Sequence, residues 1–138
     1  MYRPRVLLAD DHAQTAELLR TLLRSEFDVV ALVGDGEALV SAAEQLLPDA
    51  IVADISMPVF DGIEAAASIC RRDPDARIVL VTVHMERILV ERGLAAGARG
   101  YVLKDSAGEE LVVAVHAVLA GERYVSCALG GLEGRRHE

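Results

Sequence analysis

The segment 50–58, AIVADISMP, shows a pattern that recurs along the chain: a short apolar run that ends at a polar side chain. Four residues without polar alternation, Ala50 to Ala53, are followed directly by Asp54. Runs of this kind are typical of strands that are buried on both faces of a parallel sheet. Similar apolar runs occur at 6–9, 29–33, 78–81 and 101–103. The sequence therefore predicts five buried strands.

Segments with helical spacing separate these runs. The first has leucines at positions 18, 19, 22 and 23, which form one apolar stripe, and the others cover about 37–47, 63–72, 86–96 and 109–120. Asp61 with Glu64, and Ser106 with Glu109, have the spacing of helix-capping boxes. Strict βα alternation predicts a parallel sheet with right-handed crossovers and helices on both faces.

We therefore expect an α/β fold, the flavodoxin-like (βα)5 doubly wound parallel sheet with strand order 2-1-3-4-5. The 138 residues suffice for one domain with a sizeable core. We expect this domain to cover residues 1–125. The glycine-rich and charged segment 126–138 is typical of a linker or a disordered tail.

Composition excludes several classes of protein. Acidic residues outnumber basic ones 22 to 14, so this chain lacks the basic surface of a nucleic-acid binder. Cys70 and Cys127 have neither metal-site spacing nor a disulfide framework, which fits a reducing compartment. The sequence shows no signal-peptide pattern and no apolar run of roughly 20 residues. We therefore expect a cytoplasmic chain that does not contact a membrane.

Polar residues follow four of the predicted strands. Asp10 and Asp11 follow the first strand, Asp54 ends the third, Thr82 ends the fourth, and Lys104, the only lysine, follows the fifth. In an open parallel sheet, ligands bind beyond the carboxyl ends of the strands, at the switch point between the first and third. We expect these five side chains to meet there.

The chemistry of this set indicates phosphoryl transfer. Clustered carboxylates repel one another, and a hard cation such as Mg²⁺, which prefers oxygen ligands, relieves that repulsion. Asp54 stands alone on a central strand and is the best candidate nucleophile, while Asp10 and Asp11 form a pair suited to metal binding. Attack of a carboxylate on phosphorus gives an aspartyl phosphate, whose charge a metal and the Lys104 ammonium neutralise.

Each residue alone has a simpler interpretation. Asp11 fits an ordinary helix cap, and Lys104 fits an ordinary solvated charge. The coincidence of compatible groups at four strand ends favours the functional interpretation.

The pattern resembles the receiver domain of bacterial response regulators over residues 5–125. The matching motifs are Asp10-Asp11, the segment 53–58 (ADISMP), Asp61-Gly62, Thr82, Tyr101 and Lys104. The resemblance implies that Asp54 is the phosphoacceptor. It further implies that Asp11 and Asp54 bind Mg²⁺ directly, with the Ser56 backbone carbonyl as another ligand and Asp10 acting through water.

The same resemblance implies a switch. Thr82 and Lys104 would contact the phosphoryl group, and Tyr101 would turn inward when Thr82 moves. Such a chain is not an enzyme acting on separate substrates, but a phosphoacceptor that assists its own phosphorylation and dephosphorylation. The implied phosphodonor is a sensor histidine kinase, and we expect a phosphorylation-dependent homodimer.

Two segments, 96–105 (AGARGYVLKD) and 120–126 (AGERYVS), resemble the subfamily with a LuxR-type helix-turn-helix output domain. Transcription control through DNA would then require an output domain that is absent from this chain. Three positions depart from the usual pattern, and one of them is Cys127, which replaces a frequent proline. Asp105 stands where many receivers have proline, and Val83 is bulkier than the usual residue after the threonine. We expect Val83 to narrow access for small phosphodonors and water.

Three other functions fit parts of the sequence. Asp10-Asp11-His12 contains the D-x-H pattern of two-metal phosphoesterases, although the His and Asp clusters that such sites also need are missing. A flavodoxin-like FMN protein would need a phosphate-binding loop after the first strand, where this chain is doubly acidic. A receiver-like interaction module that works without phosphorylation is the main alternative.

Overall fold

The computed structural model describes residues 3–129. The strands are β1 Arg5–Ala9, β2 Asp28–Val33, β3 Ala50–Asp54, β4 Ile78–Thr82, β5 Gly100–Leu103 and β6 Tyr124–Val125. The helices are α1 Ala13–Arg24, α2 Gly36–Leu46, α3 Gly62–Arg72, α4 Arg87–Ala95 and α5 Ala107–Leu119. Short 3₁₀ turns cover Lys104–Ser106 and Cys127–Leu129.

The strands form one parallel sheet of order β2-β1-β3-β4-β5-β6. The predicted α/β parallel fold and the order 2-1-3-4-5 are confirmed, but the prediction of only five strands is wrong. The sixth strand pairs Tyr124 with Gly100 and Val125 with Tyr101. It pairs with backbone groups that β5 would otherwise leave unpaired at the sheet edge. A strand of two residues is too short to give a recognisable apolar run in the sequence.

Alternate residues along each strand supply two separate cores. On one face, Leu7, Ile51 and Leu80 pack among α2, α3 and α4. On the other face, Leu8 and Val52 pack with residues of α1 and α5. Both faces of the central strands are therefore covered, and β3 and β4 are buried along their whole length.

The leucine stripe of α1 is narrower than predicted. Leu19 and Leu23 are buried in the core, and Leu22 packs against it at partial exposure. Leu18 instead remains 55% exposed, because it lies on the flank of the helix away from the sheet.

The start of α3 is fixed next to the end of β3. A Cβ atom on Gly62 would lie 2.4 Å from the carbonyl oxygen of Asp54, so a larger residue here would push the helix away. The predicted capping box is present: Asp61 accepts from the Glu64 amide at 2.8 Å, and Glu64 accepts from the Asp61 amide at 3.0 Å. This loop is thereby held tightly against the carboxyl end of β3.

The capping box predicted at Ser106 is wrong, because Ser106 makes no side-chain capping bond to α5. A capping residue needs extended backbone, whereas Ser106 has φ −104° and ψ 4° as the end of a 3₁₀ turn. Lys104 is the first residue of this turn, and its side chain lies at the carboxyl edge of the sheet.

The first part of the predicted tail packs against the domain. Ser126 is fully buried, and Leu129 joins the core with 3% exposure. The rest of the predicted tail, 130–138, lies outside the described residues. Within residues 3–129, no helix has the length and apolar content needed to cross a membrane.

Candidate functional site

Three of the predicted site residues meet at the carboxyl edge of the sheet. Asp10 follows β1, Asp54 ends β3, and Lys104 follows β5. The Lys104 Nζ atom lies 3.1 Å from Asp54 Oδ2 and 3.4 Å from Asp10 Oδ2. One ammonium group therefore bridges two buried carboxylates from neighbouring strands.

Burial and charge act in opposite directions on Asp54, which is 2% exposed. Burial raises the pKa of this carboxyl above its ordinary value, and the Asp10 charge adds to the rise. The hydrogen bond and the charge of Lys104 lower the pKa, as does the Ser56 amide, which donates to Asp54 Oδ1 at 3.1 Å. The net pKa stays raised, so the ionised carboxylate needs more positive charge than Lys104 supplies.

Asp10 shows the same need for a cation. Its Oδ1 atom accepts from the His12 amide at 2.9 Å. Among the described residues its Oδ2 atom is buried without a hydrogen-bond partner, and the Lys104 ammonium lies 3.4 Å from it. A buried carboxylate oxygen without a hydrogen bond is costly unless positive charge neutralises it, and Asp10 has to share the Lys104 ammonium with Asp54.

The donor set fits a divalent cation. Ligand atoms of Asp10, Asp11, His12 and Asp54 all lie within 4.8 Å of one another. The Asp11 side chain is 31% exposed and stands at the rim, so the cluster is open to solvent. Carboxylate oxygens are the ligands that Mg²⁺ prefers. Ser56, whose carbonyl was predicted as a further ligand, follows Asp54 in the same loop.

Thr82 and Tyr101 are joined through the backbone of His84. The Thr82 hydroxyl is fully buried and accepts from the His84 amide at 3.0 Å. The Tyr101 hydroxyl donates to the His84 carbonyl at 3.2 Å. Within residues 3–129, no side-chain hydrogen bond joins Thr82 to Asp54 or Lys104. The structure thus links Thr82 to Tyr101 but leaves it apart from the carboxylates.

Tyr101 occupies the inward position. Its side chain is fully buried against the α4 side of the sheet. Burial, with a smaller contribution from the Glu86 charge, raises its pKa to about 12. The hydroxyl therefore remains a hydrogen-bond donor throughout the physiological pH range.

The sequence alone predicted no role for His12 at the metal site and did not reveal the backbone bridge at His84. His12 was considered only as part of a phosphoesterase pattern, yet its Nδ1 atom lies 3.0 Å from Asp11 Oδ1. Its place directly after the aspartate pair is the signal that could have revealed it. His84 connects the threonine and tyrosine side chains through its backbone atoms. Every residue has these atoms, so the residue type at position 84 does not predict this connection. Val83 is 66% exposed at the same rim.

Comparison with known proteins identifies the family. The model of the response regulator receiver domain matches residues 6–116. The transcriptional regulatory protein YxjL of Bacillus subtilis is 39% identical over 120 residues, which are 86% of this chain and 55% of YxjL. The chain spans about half the length of the curated relatives it matches.

Solved structures agree with this match. A two-component response regulator of the LuxR family from Aurantimonas sp. superposes with a TM-score of 0.91 and 35% identity, covering 99% of this chain and 100% of that one. A structure of RcsB dimers bound to DNA superposes with a TM-score of 0.85 and 26% identity, covering 95% of this chain and 68% of that one. The chain belongs to the response regulator receiver domain family.

Proposed function

We propose that the chain is the phosphorylation-controlled input domain of a two-component transcription regulator, and that Asp54 accepts the phosphoryl group. One observation carries this proposal: Asp54 is buried at the end of a central strand, 3.1 Å from the ammonium of Lys104 and beside a second buried carboxylate. Burial of Asp54 at this position disfavours its ionised form, and a phosphoacceptor needs the positive charge that Lys104 places beside it.

The phosphodonor in this proposal is the phosphohistidine of a sensor kinase. The phosphorus–nitrogen bond of the donor breaks as a bond forms between phosphorus and a carboxylate oxygen of Asp54, and the imidazole leaves with the electron pair. Asp11, Asp54 and the Ser56 carbonyl would hold Mg²⁺ directly and Asp10 through water, and the bound ion would neutralise charge on the phosphoryl oxygens. Lys104 stabilises the same charge from the β5 side.

Transmission begins at Thr82. A hydroxyl can accept one hydrogen bond while it donates another, so Thr82 can donate to a phosphoryl oxygen on Asp54 and still hold the His84 amide. Its movement toward Asp54 then draws residues 83–86 with it, and Tyr101 follows through the His84 carbonyl. The result is a second packing of α4 against β5, the kind of discrete shift that changes a binding surface.

The proposed output of the domain is control of transcription. RcsB forms DNA-bound dimers, and by analogy we propose that phosphorylation promotes a homodimer, which acts on DNA through an output domain outside this chain. The proposed compartment is the cytoplasm. This compartment is proposed from the sequence, because Cys70 and Cys127 form no disulfide framework.

Intact-mass measurement after incubation with acetyl phosphate tests the proposal, with and without Mg²⁺. We expect a phosphoryl adduct that requires Mg²⁺ and is lost in Asp54→Asn. If the wild type gives no adduct, Val83→Ala separates two explanations. An adduct in that variant means that Val83 excludes small donors. Its absence in both, even with a kinase, favours an interaction module that works without phosphorylation.

A further inference from the structure

We propose that His12 is a nitrogen ligand at the carboxylate cluster, and that it makes this site prefer transition metals such as Zn²⁺ over Mg²⁺. This inference rests on the proposed function only in placing a divalent cation among Asp10, Asp11 and Asp54. It adds the identity of a ligand and the class of metal that this ligand selects.

The geometry of the imidazole fits one shared ion. The Nδ1 atom of His12 lies 3.0 Å from Asp11 Oδ1, 3.6 Å from Asp10 Oδ1 and 3.9 Å from Asp54 Oδ2. A metal with ligands at about 2.0–2.1 Å places neighbouring ligands about 3 Å apart and opposite ligands about 4 Å apart. All three separations fall within these limits, so His12 Nδ1 can share one ion with Asp11 and Asp54 after small adjustments, while Asp10 binds that ion through water as proposed above.

The His12 side chain has no other structural task in the described chain. His12 is the N-cap residue of α1, but its imidazole makes no capping hydrogen bond. Its backbone is extended, with φ −99° and ψ 111°, and the helix begins only at the next residue. The side chain is 64% exposed, so an ion from solvent can reach Nδ1 without any opening of the fold.

A second observation points to a cation at the same place. The Oδ2 atom of Asp10 is buried without a hydrogen-bond partner, and the whole Asp10 residue is 4% exposed. The cluster therefore combines a buried oxygen that has no hydrogen bond, and that shares the Lys104 ammonium with Asp54, with an exposed nitrogen that faces the same carboxylates.

Ligand chemistry then decides the preferred metal. Mg²⁺ takes oxygen ligands and keeps several waters, so an imidazole adds little to its binding. Zn²⁺, Ni²⁺ and Co²⁺ bind imidazole nitrogen well, and a site with one imidazole and two or three carboxylates suits them. Removal of His12 should therefore weaken Zn²⁺ binding and leave Mg²⁺ binding nearly unchanged.

His84 offers a matched control because it places a second imidazole at this rim. Its Nε2 atom lies 3.4 Å from the Ser56 hydroxyl, and its Nδ1 atom lies 3.6 Å from Glu86 Oε1. Neither nitrogen is part of the carboxylate cluster. Both histidines are at least partly exposed, so substitution of either should leave the fold intact.

The test is calorimetric titration of the metal-free wild type, His12→Asn and His84→Asn with Zn²⁺ and, separately, with Mg²⁺. We expect the wild type to bind Zn²⁺ more tightly than Mg²⁺, and His12→Asn to lose about tenfold or more of its Zn²⁺ affinity. His84→Asn should match the wild type for both ions. Co²⁺ absorption provides a second readout, since a lost nitrogen ligand changes the visible spectrum.

Two results would overturn the inference: Zn²⁺ affinity and Co²⁺ spectrum unchanged in His12→Asn, or an equal loss of Mg²⁺ and Zn²⁺ affinity in that variant. In either case normal Mg²⁺ binding by the wild type would leave the proposed phosphoacceptor site intact. Absence of both Mg²⁺ and Zn²⁺ binding in the wild type would contradict the metal part of both proposals.

Discussion

At the scale of the residue, Asp54 combines two opposed demands. The fold buries it, which raises its pKa, and then supplies only part of the positive charge that its ionised form requires. Functional sites of this kind reduce the stability of the fold, because their reactivity requires a group in an unfavourable environment. Replacement of the side chain by a neutral one of the same shape should therefore make the fold more stable.

We predict that Asp54→Asn raises the free energy of unfolding at neutral pH by about 0.5–2 kcal/mol. A raised folded-state pKa means that the folded chain binds more protons than the unfolded chain between the two pKa values. Stability conferred by the protonated carboxyl is thus lost as pH rises through that window, and the neutral variant escapes this loss. Its advantage should shrink as pH falls below the unfolded value of about 3.8.

Urea titrations of the wild type and Asp54→Asn at several pH values measure this effect. Asp105→Asn is the control, because Asp105 is exposed in the 3₁₀ turn after β5 and should change stability by less than about 0.5 kcal/mol. A variant at position 54 that is less stable than the wild type at neutral pH would contradict the prediction.

Tyr101→Phe tests the connection between β5 and the loop after β4. The ring is fully buried and should keep its packing, while the hydrogen bond to the His84 carbonyl is lost. We predict a stability loss of about 0.5–1.5 kcal/mol, measured by denaturant unfolding. Amide NMR shifts should change mainly in residues 83–86, and equal changes throughout α5 instead would show that the hydroxyl does not hold this loop.

At the scale of the element, Ser126 ties three segments together. Its hydroxyl accepts from the Leu103 amide at 2.9 Å and donates to Glu110 Oε1 at 2.5 Å. Glu110 Oε2 also accepts from the Cys127 amide at 3.1 Å. A polar network that is almost fully buried therefore joins β5, α5 and the chain that leaves β6, directly behind Lys104.

We predict that Ser126→Ala costs about 1–3 kcal/mol, because the buried Leu103 amide and the Glu110 carboxylate both lose a partner. Burial pushes the pKa of Glu110 up, but the hydrogen bonds from Ser126 and Cys127 outweigh burial and hold it below the ordinary value. The stability that ionised Glu110 confers is therefore present above the unfolded pKa near 4.5 and lost as pH falls through the lower folded pKa.

Glu110→Gln should remove this part of the pH dependence, whereas Glu109→Gln, an exposed neighbour in the same turn of α5, should not. Unfolding curves between neutral and acidic pH distinguish the two variants. An identical acid response of Glu110→Gln and the wild type would show that the carboxylate is not held by this network.

How much of the fold follows from sequence depends on how fully an element is buried. The apolar runs of β3 and β4 are readable because both faces of these strands are covered. The strand β6 could not be predicted from the sequence, because two half-buried residues at a sheet edge show no periodic pattern of apolar residues. Ser106 has the right residue type for a cap, but the preceding 3₁₀ turn sets its backbone, and spacing alone does not reveal that conformation.

The functional site likewise has features that the sequence predicts and features that it does not. Side chains with rare chemistry, Asp10, Asp54 and Lys104, could be placed from sequence because parallel strands bring their carboxyl ends to one edge. The bridge between Thr82 and Tyr101 could not be foreseen, because it runs through backbone atoms of a loop. The position of the His12 ring beside the Asp11 carboxylate likewise depends on where α1 begins.

At the scale of the whole molecule, α4 and α5 each carry an exposed apolar side chain that a second copy could cover. Val113 on α5 is 52% exposed, and Ile88 on α4 is 61% exposed. A symmetric dimer would use one of these faces on both chains. Which one it uses decides whether the signal leaves the domain through α5 or through the α4 surface that Tyr101 supports.

We predict that the wild type dimerises when beryllium fluoride and Mg²⁺ imitate phosphorylation, and that a buried charge abolishes the dimer in only one of Val113→Glu and Ile88→Glu. Light scattering after size-exclusion chromatography measures this, and the unaffected variant is the control for the other. A wild type that stays monomeric at high concentration under these conditions would contradict the proposed phosphorylation-dependent dimer.

The most direct test of the phosphoacceptor is to locate the phosphoryl group. The protein is phosphorylated by acetyl phosphate or by a histidine kinase in the presence of Mg²⁺, reduced with borohydride, which converts an aspartyl phosphate to homoserine, and then mapped by peptide mass spectrometry. We predict homoserine at position 54 and none at positions 10 and 11, with no reduced residue in Asp54→Asn. Homoserine at another aspartate, or a phosphorylated wild type that is unchanged by borohydride, would contradict the assignment of Asp54.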